Sequence, residues 1–485
     1  MEKVFRSELT AECHKHIRRH EDYLRDLEFD AVRIEKRTGV APIKRVQRPG
    51  YWSIHRNFDP YRTRSERRVA SLSYGLARRF LAATYDPAPA LIYTVPKASG
   101  GERHTNVFQI PDAVVSRFVY SSLVRKNRHR MSGYSYAYRS DIGSHEAVVN
   151  IQNDFIDRAR VYAAEYDFSA FFDNIRHDFL WKMLDRGGFQ VTNQELHILE
   201  RFAECPAIAL DRYLTDKPPK RARGIPQGTS VSLFLANAAC WGLDRALERT
   251  GVGFARYADD TVIWSEDYAR IVDAYEVLKA FSMESGVPIN DAKSEGINLI
   301  TDLPGGGEIR SKSNVVFLGY SISTSKVSIS QKHLSRIKRN ISKLIYCNLL
   351  QAPRKGLCVG GRYSPIDWDY LVCIAQIRRY LYGGLRTIDL LNYTRGVTTS
   401  LRFRGLMSYY PIVSDIDQLR GMDGWLLHCL KRALSKRQRL VAAIGGPSTL
   451  PGPRPDWIQS IEKLRTESVG SLTLDYRLPS FSLIL

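Results

Sequence analysis

No Cys-x-x-C pair occurs among the seven cysteines of this 485-residue chain, which stand singly at positions 13, 205, 240, 347, 358, 373 and 429. Zinc ribbons and disulfide frameworks both need paired thiols, so neither class fits, and unpaired thiols suit a reducing compartment. No apolar run approaches the ~18 residues of a membrane span, and the opening MEKVFRSELT lacks a signal-peptide core. A soluble, cytoplasmic protein with no membrane partner is therefore expected. Repeats and low-complexity tracts are missing too, which excludes solenoids and disordered tails. Acids are scarce: 51 Asp and Glu face 71 Lys and Arg, a net charge of +20. That balance favours a polyanionic partner such as nucleic acid over an acidic small molecule.

What is present is an ordinary globular composition, 44% hydrophobic and 25% charged, long enough for two or three domains. The positive excess is also local, with 12 basic and 2 acidic residues from Lys36 to Arg79. Aromatics lie among them in RPGYWSIHRNFDPYRTRSERR, a mixture suited to phosphate contact with base stacking. Arg56, Arg62, Arg64, Arg67 and Arg68 are the candidate nucleic-acid contacts; the competing reading is a solvated basic face. Cys13, His14, His16 and His20 could gather a metal, but KHIRRHEDYLRDLE reads more simply as a basic surface helix.

The pattern along the chain predicts four regions: a basic helical extension over 1–90, a mixed region over 91–325, a helical region over 326–445, and a linker with an apolar tail over 446–485. LIYTVPKASGGERHTNVFQIP reads as two strands about a Gly-Gly turn, and DAVVSRFVYSSLVRKN as a helix capped by Asp112. RVYAAEYDFSAFFDNI reads as a buried strand ending at Asp167, and a long apolar helix is expected from Ser230. Ser265 is placed as the cap of a helix that Gly286 ends. The tail SLTLDYRL alternates apolar and polar residues and is expected to dock as an edge strand or plug, on its own body or on a second copy.

GFARYADDTVIWS sets Asp259 and Asp260 between two β-prone runs. Taken alone, the pair serves equally as an ordinary hairpin turn, because Asp favours turns through local hydrogen bonds. The other reading is that two rigidly held acids aim at one spot, as a divalent cation with oxygen ligands requires. Three pieces converge on the second: a strand ending in Asp167, a Pro-Gln-Gly loop entering a helix, and the hairpin with its acids.

At these pieces the sequence resembles the reverse transcriptases, through VPKASGGER, YDFSAFFDNI, GIPQGTSVSLFLAN, RYADD and VVFLGYSIS in the family's order, over roughly Leu91 to Ser323. The resemblance implies an α+β right-hand polymerase: fingers, a palm with an antiparallel sheet, and a helical thumb, here with helical N- and C-terminal extensions. It implies an RNA-directed DNA polymerase that adds dNTPs to a 3′-hydroxyl, with two Mg2+ ions, or Mn2+, on Asp167, Asp259 and Asp260. Nucleotidyl transfer needs such a pair to activate the hydroxyl and neutralise the leaving pyrophosphate. Neighbouring side chains at a turn diverge, so Asp259 is preferred to Asp260 as ligand.

By the same resemblance Lys97 and Arg103 grip the triphosphate and Gln227 lies under the sugar and base. Phe168 and Phe172 belong to the dNTP site, Phe172 where the family blocks a 2′-hydroxyl, and Lys293 is a candidate proton donor to pyrophosphate. The Val-Thr-Gly thumb signature of retron enzymes is missing, as are the paired cysteines of intron endonucleases, and Leu233 stands where intron proteins carry proline. The layout looks most like the stand-alone bacterial enzymes of antiviral defence, which copy a cognate noncoding RNA into DNA. A retron or intron-type enzyme and a template-independent or protein-primed polymerase are the alternatives, and a homo-oligomer stays open.

Overall fold

The computed structural model describes residues 1–43, 45–96, 102–290, 294, 296–301, 309–357, 362, 366–385, 387–401, 404–447, 450, 466–469 and 472–482. The chain forms two compact units, Met1–Leu24 with Val46–Val315, and Arg25–Arg45 with Val316–Leu485. No division falls near residue 90: Phe5, Leu9, Val69 and Leu76 share one buried core with Val114, Phe171 and Leu235. Helices α1 (Glu2–Thr38), α2 (Pro60–Thr63) and α3 (Glu66–Leu81) open the chain. In α3 the residues Val69, Ser73, Leu76, Ala77 and Phe80 recur at three- and four-residue steps and bury one stripe in that core.

The first unit continues through β1 (Ala90–Pro96), β2 (Glu102–Val107), α4 (Ile110–Asn127), α5 (Ser144–Phe155), β3 (Val161–Tyr166) and the single turn α6 (Phe171–Asn174). Then come α7 (His177–Arg186), α8 (Asn193–Ala203), β4 (Ala207–Ile208), α9 (Ser230–Ala239) and α10 (Trp241–Thr250). It closes with β5 (Gly253–Tyr257), β6 (Asp260–Ser265), α11 (Tyr268–Ser285), β7 (Ile297–Ile300) and β8 (Ser311–Lys312). Two sheets result, one ordered β2-β1-β4 and one ordered β5-β6-β3-β7-β8. Eight of the ten residues of α9 are buried, as its apolar sequence requires, and it packs on α4, α7 and α8.

Three local expectations are corrected. Asp112 lies inside the first turn of α4, buried against the Tyr85 hydroxyl, and Gln109 holds the cap position. Asp267, not Ser265, caps α11 by accepting from the Ala269 N–H at 2.9 Å. The long helix from Ser230 is two helices, interrupted at Cys240.

The second unit holds a three-stranded sheet, β9 (Val315–Phe317), β10 (Tyr320–Ile322) and β11 (Val327–Ile329), so VVFLGYSIS is two strands around a turn at Leu318 and Gly319. Helix α12 (Gln331–Ile345) buries Leu334, Ile337, Ile341 and Ile345 and continues into a π-helical stretch, Tyr346–Leu350. Next come α13 (Gln351–Arg354), α14 (Trp368–Tyr382), α15 (Thr387–Thr394) and α16 (Ile416–Ala443), then the hairpin β12 (Thr466–Val469) and β13 (Leu472–Asp475). The tail docks as a plug on this unit, and its two strands form a sheet of their own rather than extending another. Phe481 is fully buried, and Asp423 of α16 accepts from Phe481 N at 2.6 Å and from Ser480 Oγ at 2.7 Å. Among the described residues, no helix is long and apolar enough to cross a membrane.

Candidate functional site

Sheet register brings the three acids to one end of the β5-β6-β3-β7-β8 sheet. Strands β3 and β6 pair antiparallel down to Tyr166 opposite Thr261, so the next residues outward, Asp167 and Asp260, stand level, with Asp259 at the tip of the β5–β6 turn. Asp167 and Asp259 are half-buried and Asp260 is exposed. The turn itself is Ala258 and Asp259, and Ala258 has φ +60. A left-handed alanine costs about 1–2 kcal/mol and persists only where surroundings fix it.

Arg256 is what fixes it. This arginine, fully buried in β5, pairs with Asp244 of α10 through two bonds of 2.7 Å and donates at 3.1 Å to the Ala258 carbonyl. Ser135 Oγ at 2.7 Å and Asn237 Oδ1 at 3.3 Å accept its remaining reach. Burial opposes the charge, but the Asp244 carboxylate more than offsets it and holds the guanidinium above the ordinary arginine range. Asp167 has its own support: Asn290 Nδ2 donates to Asp167 Oδ2 at 2.8 Å, and Asn290 N to the Asp167 carbonyl at 2.8 Å.

Beside β5 runs the segment 134–138, bonded to Arg256 through Arg256 N to Tyr134 O and Tyr136 N to Arg256 O, both 2.9 Å. It delivers Tyr138 to the site. Burial first, and the charge of Asp259 second, push the Tyr138 hydroxyl up to about 12. Phe172 is half-buried and meets Tyr138 edge to face, with ring centroids 6.5 Å apart. Phe171 is buried, as is Phe168, which packs on Phe171 and Phe281. Phe168 is only 2% exposed, so its ring belongs to the core.

The GIPQG loop is laced to both neighbours. Ile225 N donates to Phe172 O at 2.7 Å, and Asn106 N of β2 donates to Gln227 O at 2.6 Å. A Cβ on Gly224 would sit 2.5 Å from Asp173 O, and one on Gly228 2.1 Å from Asn106 O, so neither position admits a side chain. Gln227 is half-buried and its amide lies 3.4 Å from Asp173 Oδ2. Lys97 and Lys293 lie outside the described residues; Arg103 is in β2 opposite Val95, its side chain outside the description.

The five arginines do not behave alike. Arg56, Arg64 and Arg67 are exposed, Arg64 lying over the Tyr61 ring at 5.6 Å, and Arg62 is exposed with Asp59 at 3.5 Å. Arg68 is half-buried and donates to Asn57 Oδ1 at 2.8 Å, so it braces a loop. Burial, then Arg56 and Arg68, push His55 below its usual range, a sign of crowded positive charge.

Among the described residues, no three His, Cys, Asp or Glu side chains already form a metal cluster. The donors at the sheet end are carboxylate oxygens, hard ligands of the kind that divalent cations take. Sequence reading missed Arg256, Asp244, Asn237, Asn290 and Tyr138. For Arg256 one signal was available, a charge at an interior position of a short apolar strand.

Residues 95–322 match the family model for reverse transcriptase (RNA-dependent DNA polymerase). Protein YkfC of Escherichia coli is 24% identical over 201 residues, 40% of this chain and 50% of that protein, so the chain spans about half the length of the curated relative it matches. Apo telomerase of Candida tropicalis, truncated from its C-terminal domain, superposes at TM-score 0.40 and 14% identity over 54% of this chain and 60% of its own. Telomerase of Candida albicans with a TWJ fragment of telomeric RNA gives 0.40 at 11% identity over 79% and 66%.

Proposed function

We propose that the protein, whose residues 95–322 match the family model for reverse transcriptase, is an RNA-directed DNA polymerase that extends a 3′-hydroxyl with dNTPs. The observation that carries the reading is the register that levels Asp167 with Asp260 beside the Asp259 turn. Carboxylates from two strands at one sheet end are what nucleotidyl transfer requires. Mg2+ bound by Asp167 and Asp259, with Asp260 beside them, would lower the pKa of the attacking hydroxyl and neutralise the triphosphate.

The chain's own residues do the rest. Arg256 and Asn290 hold the carboxylates in place, so little reorganisation is needed at the moment of transfer. Lys97 and Arg103 bind the triphosphate, Gln227 and the glycine-flanked loop bound the sugar and base, and Phe172 fills the space a 2′-hydroxyl would need. Lys293 delivers a proton to the departing pyrophosphate. Arg56, Arg62, Arg64 and Arg67 contact the RNA backbone, and the helices after β9 serve as the thumb. The template is a cognate noncoding RNA, and its DNA copy acts in bacterial antiviral defence, in the cytoplasm.

Asp259→Asn and Asp167→Asn should each abolish dNTP incorporation on a primed RNA while leaving RNA binding nearly intact, because binding rests on the basic surface. Full extension by Asp259→Asn in Mg2+ would sink the assignment. Sequencing RNA and DNA that copurify from the native locus tests the cognate template.

A further inference from the structure

Tyr138 is a bulky aromatic held at φ +61, a conformation that residues with a Cβ avoid. Two helices hold its backbone there. Tyr120 of α4 donates through its hydroxyl to Tyr138 O at 2.7 Å, and Asn237 of α9 donates to Ala137 O at 2.8 Å. Two other non-glycine residues with positive φ frame the same site: Ala170, two residues before Phe172, and Ala258 in the turn that carries Asp259. Backbone strain gathered in one place points to function there.

Among the rings beside Tyr138 is Phe172. The rings meet edge to face at 6.5 Å with planes at 78°, while Phe172 meets the buried Phe171 at 5.8 Å and 81°. Phe172 and Tyr138 both pack against the buried core, and there they brace each other edge to face. A residue needed only to fill space would not call for a strained backbone, since glycine or asparagine relieves the strain at the same point. A ring that has to resist displacement by one extra hydroxyl does call for a fixed support.

We propose that Tyr138 is a positioning residue for sugar selection: it buttresses Phe172 so that a ribonucleotide cannot push that ring aside. The inference rests on the reading of Phe172 as the residue beneath the incoming sugar. Tyr138 acts through Phe172 and touches no reacting atom.

The test measures kcat/KM for dCTP against CTP on a primed RNA with the full chain, in Tyr138→Gly, Tyr138→Asn and Tyr138→Phe, each alone and combined with Phe172→Ala. Glycine and asparagine accept the backbone but remove the ring, and discrimination should fall about 2- to 12-fold, the worth of one aromatic pair. Tyr138→Phe keeps the edge contact and should keep the ratio. In the Phe172→Ala background, Tyr138→Gly should move the ratio no further. An active Tyr138→Gly with wild-type discrimination, or independent multiplication of the two effects, overturns the proposal. So does loss of the circular-dichroism fold in both the Gly and Asn variants, which would give the ring a core role only. Wild-type protein that incorporates neither nucleotide defeats the polymerase reading instead.

Discussion

Arg256 and Asp244 form a two-pronged ion pair, Nε to Oδ1 and Nη2 to Oδ2, both at 2.7 Å, and the third nitrogen of the same guanidinium donates at 3.1 Å to the Ala258 carbonyl. One buried charge thus ties a helix to the turn that presents Asp259. Breaking a buried pair strands its partner, so Arg256→Met should cost about 3–5 kcal/mol in urea denaturation. Adding Asp244→Leu should recover most of that stability, because the stranded charge is gone. dNTP incorporation should not recover with it, since the brace on the turn is still missing. A double variant as active as wild type would make the brace dispensable.

Asn290 supports Asp167 from 123 positions away in the chain. Removing a partner that orients a metal-binding carboxylate typically costs about 10- to 100-fold in metal affinity or activity. Asn290→Leu should raise the Mg2+ concentration for half-maximal incorporation by about that factor while leaving RNA affinity unchanged. An unaltered Mg2+ titration would assign Asn290 to structure alone.

On the basic surface, Arg56, Arg62 and Arg67 are exposed and Arg68 is a brace. Replacing the three exposed residues with alanine should weaken RNA binding and flatten the slope of log K against log salt by about 2 to 3 in total, because fewer counterions are released. Arg68→Ala should lower stability instead. A slope that stays the same for the triple variant returns these residues to a solvated face.

Asp112 is buried, and burial lifts its carboxyl to about 7. The folded state therefore keeps a proton that the unfolded chain, with an ordinary carboxylate, gives up near pH 4. Between about pH 4 and 7 the native state binds more protons than the unfolded one, so this group makes stability fall as pH rises, by up to about 4 kcal/mol. Asp112→Asn, which can still accept from Tyr85, should remove that component. Urea denaturation of both proteins at pH 5 and pH 8 measures it; identical differences would mean Asp112 does not titrate in this range.

At the C-terminal tail, Asp423 accepts from four donors: Ser480 Oγ, Phe481 N, Ser482 N and Ser482 Oγ, at 2.7, 2.6, 3.2 and 2.6 Å. Phe481→Ala should cost about 3–5 kcal/mol as a buried large-to-small change. Deleting residues 474–482 should reduce solubility by uncovering Tyr370 and Tyr382, both fully buried. A truncated chain with native solubility and thermal stability would refute the plug.

Much of the site could be read along the chain. Short β-prone runs around Asp259 and Asp260, the carboxylate at the end of VYAAEY, and the glycine-flanked Pro-Gln-Gly loop are local signals, set by backbone sterics and turn chemistry over a few residues. Those signals gave the order of the pieces, and the resemblance to reverse transcriptases that they carry implied the α+β class. They gave helix ends less well, because Asp112 and Ser265 look like caps until a competing partner is present: Tyr85 takes Asp112, and Asp267 is the better-placed acceptor.

Only tertiary structure decided which residues hold the acids in place. Arg256 is a charge inside an apolar strand whose partner, Asp244, is fixed only when α10 packs beside it, Asn290 has no tie to Asp167 along the chain, and Phe168 and Phe172 are alike in sequence, one buried and one half-buried in space. Local propensity acts before the chain is compact; a charge pair or a ring contact gains its strength only once water has been excluded around it, so its partner is chosen by the fold and not by the neighbouring residues.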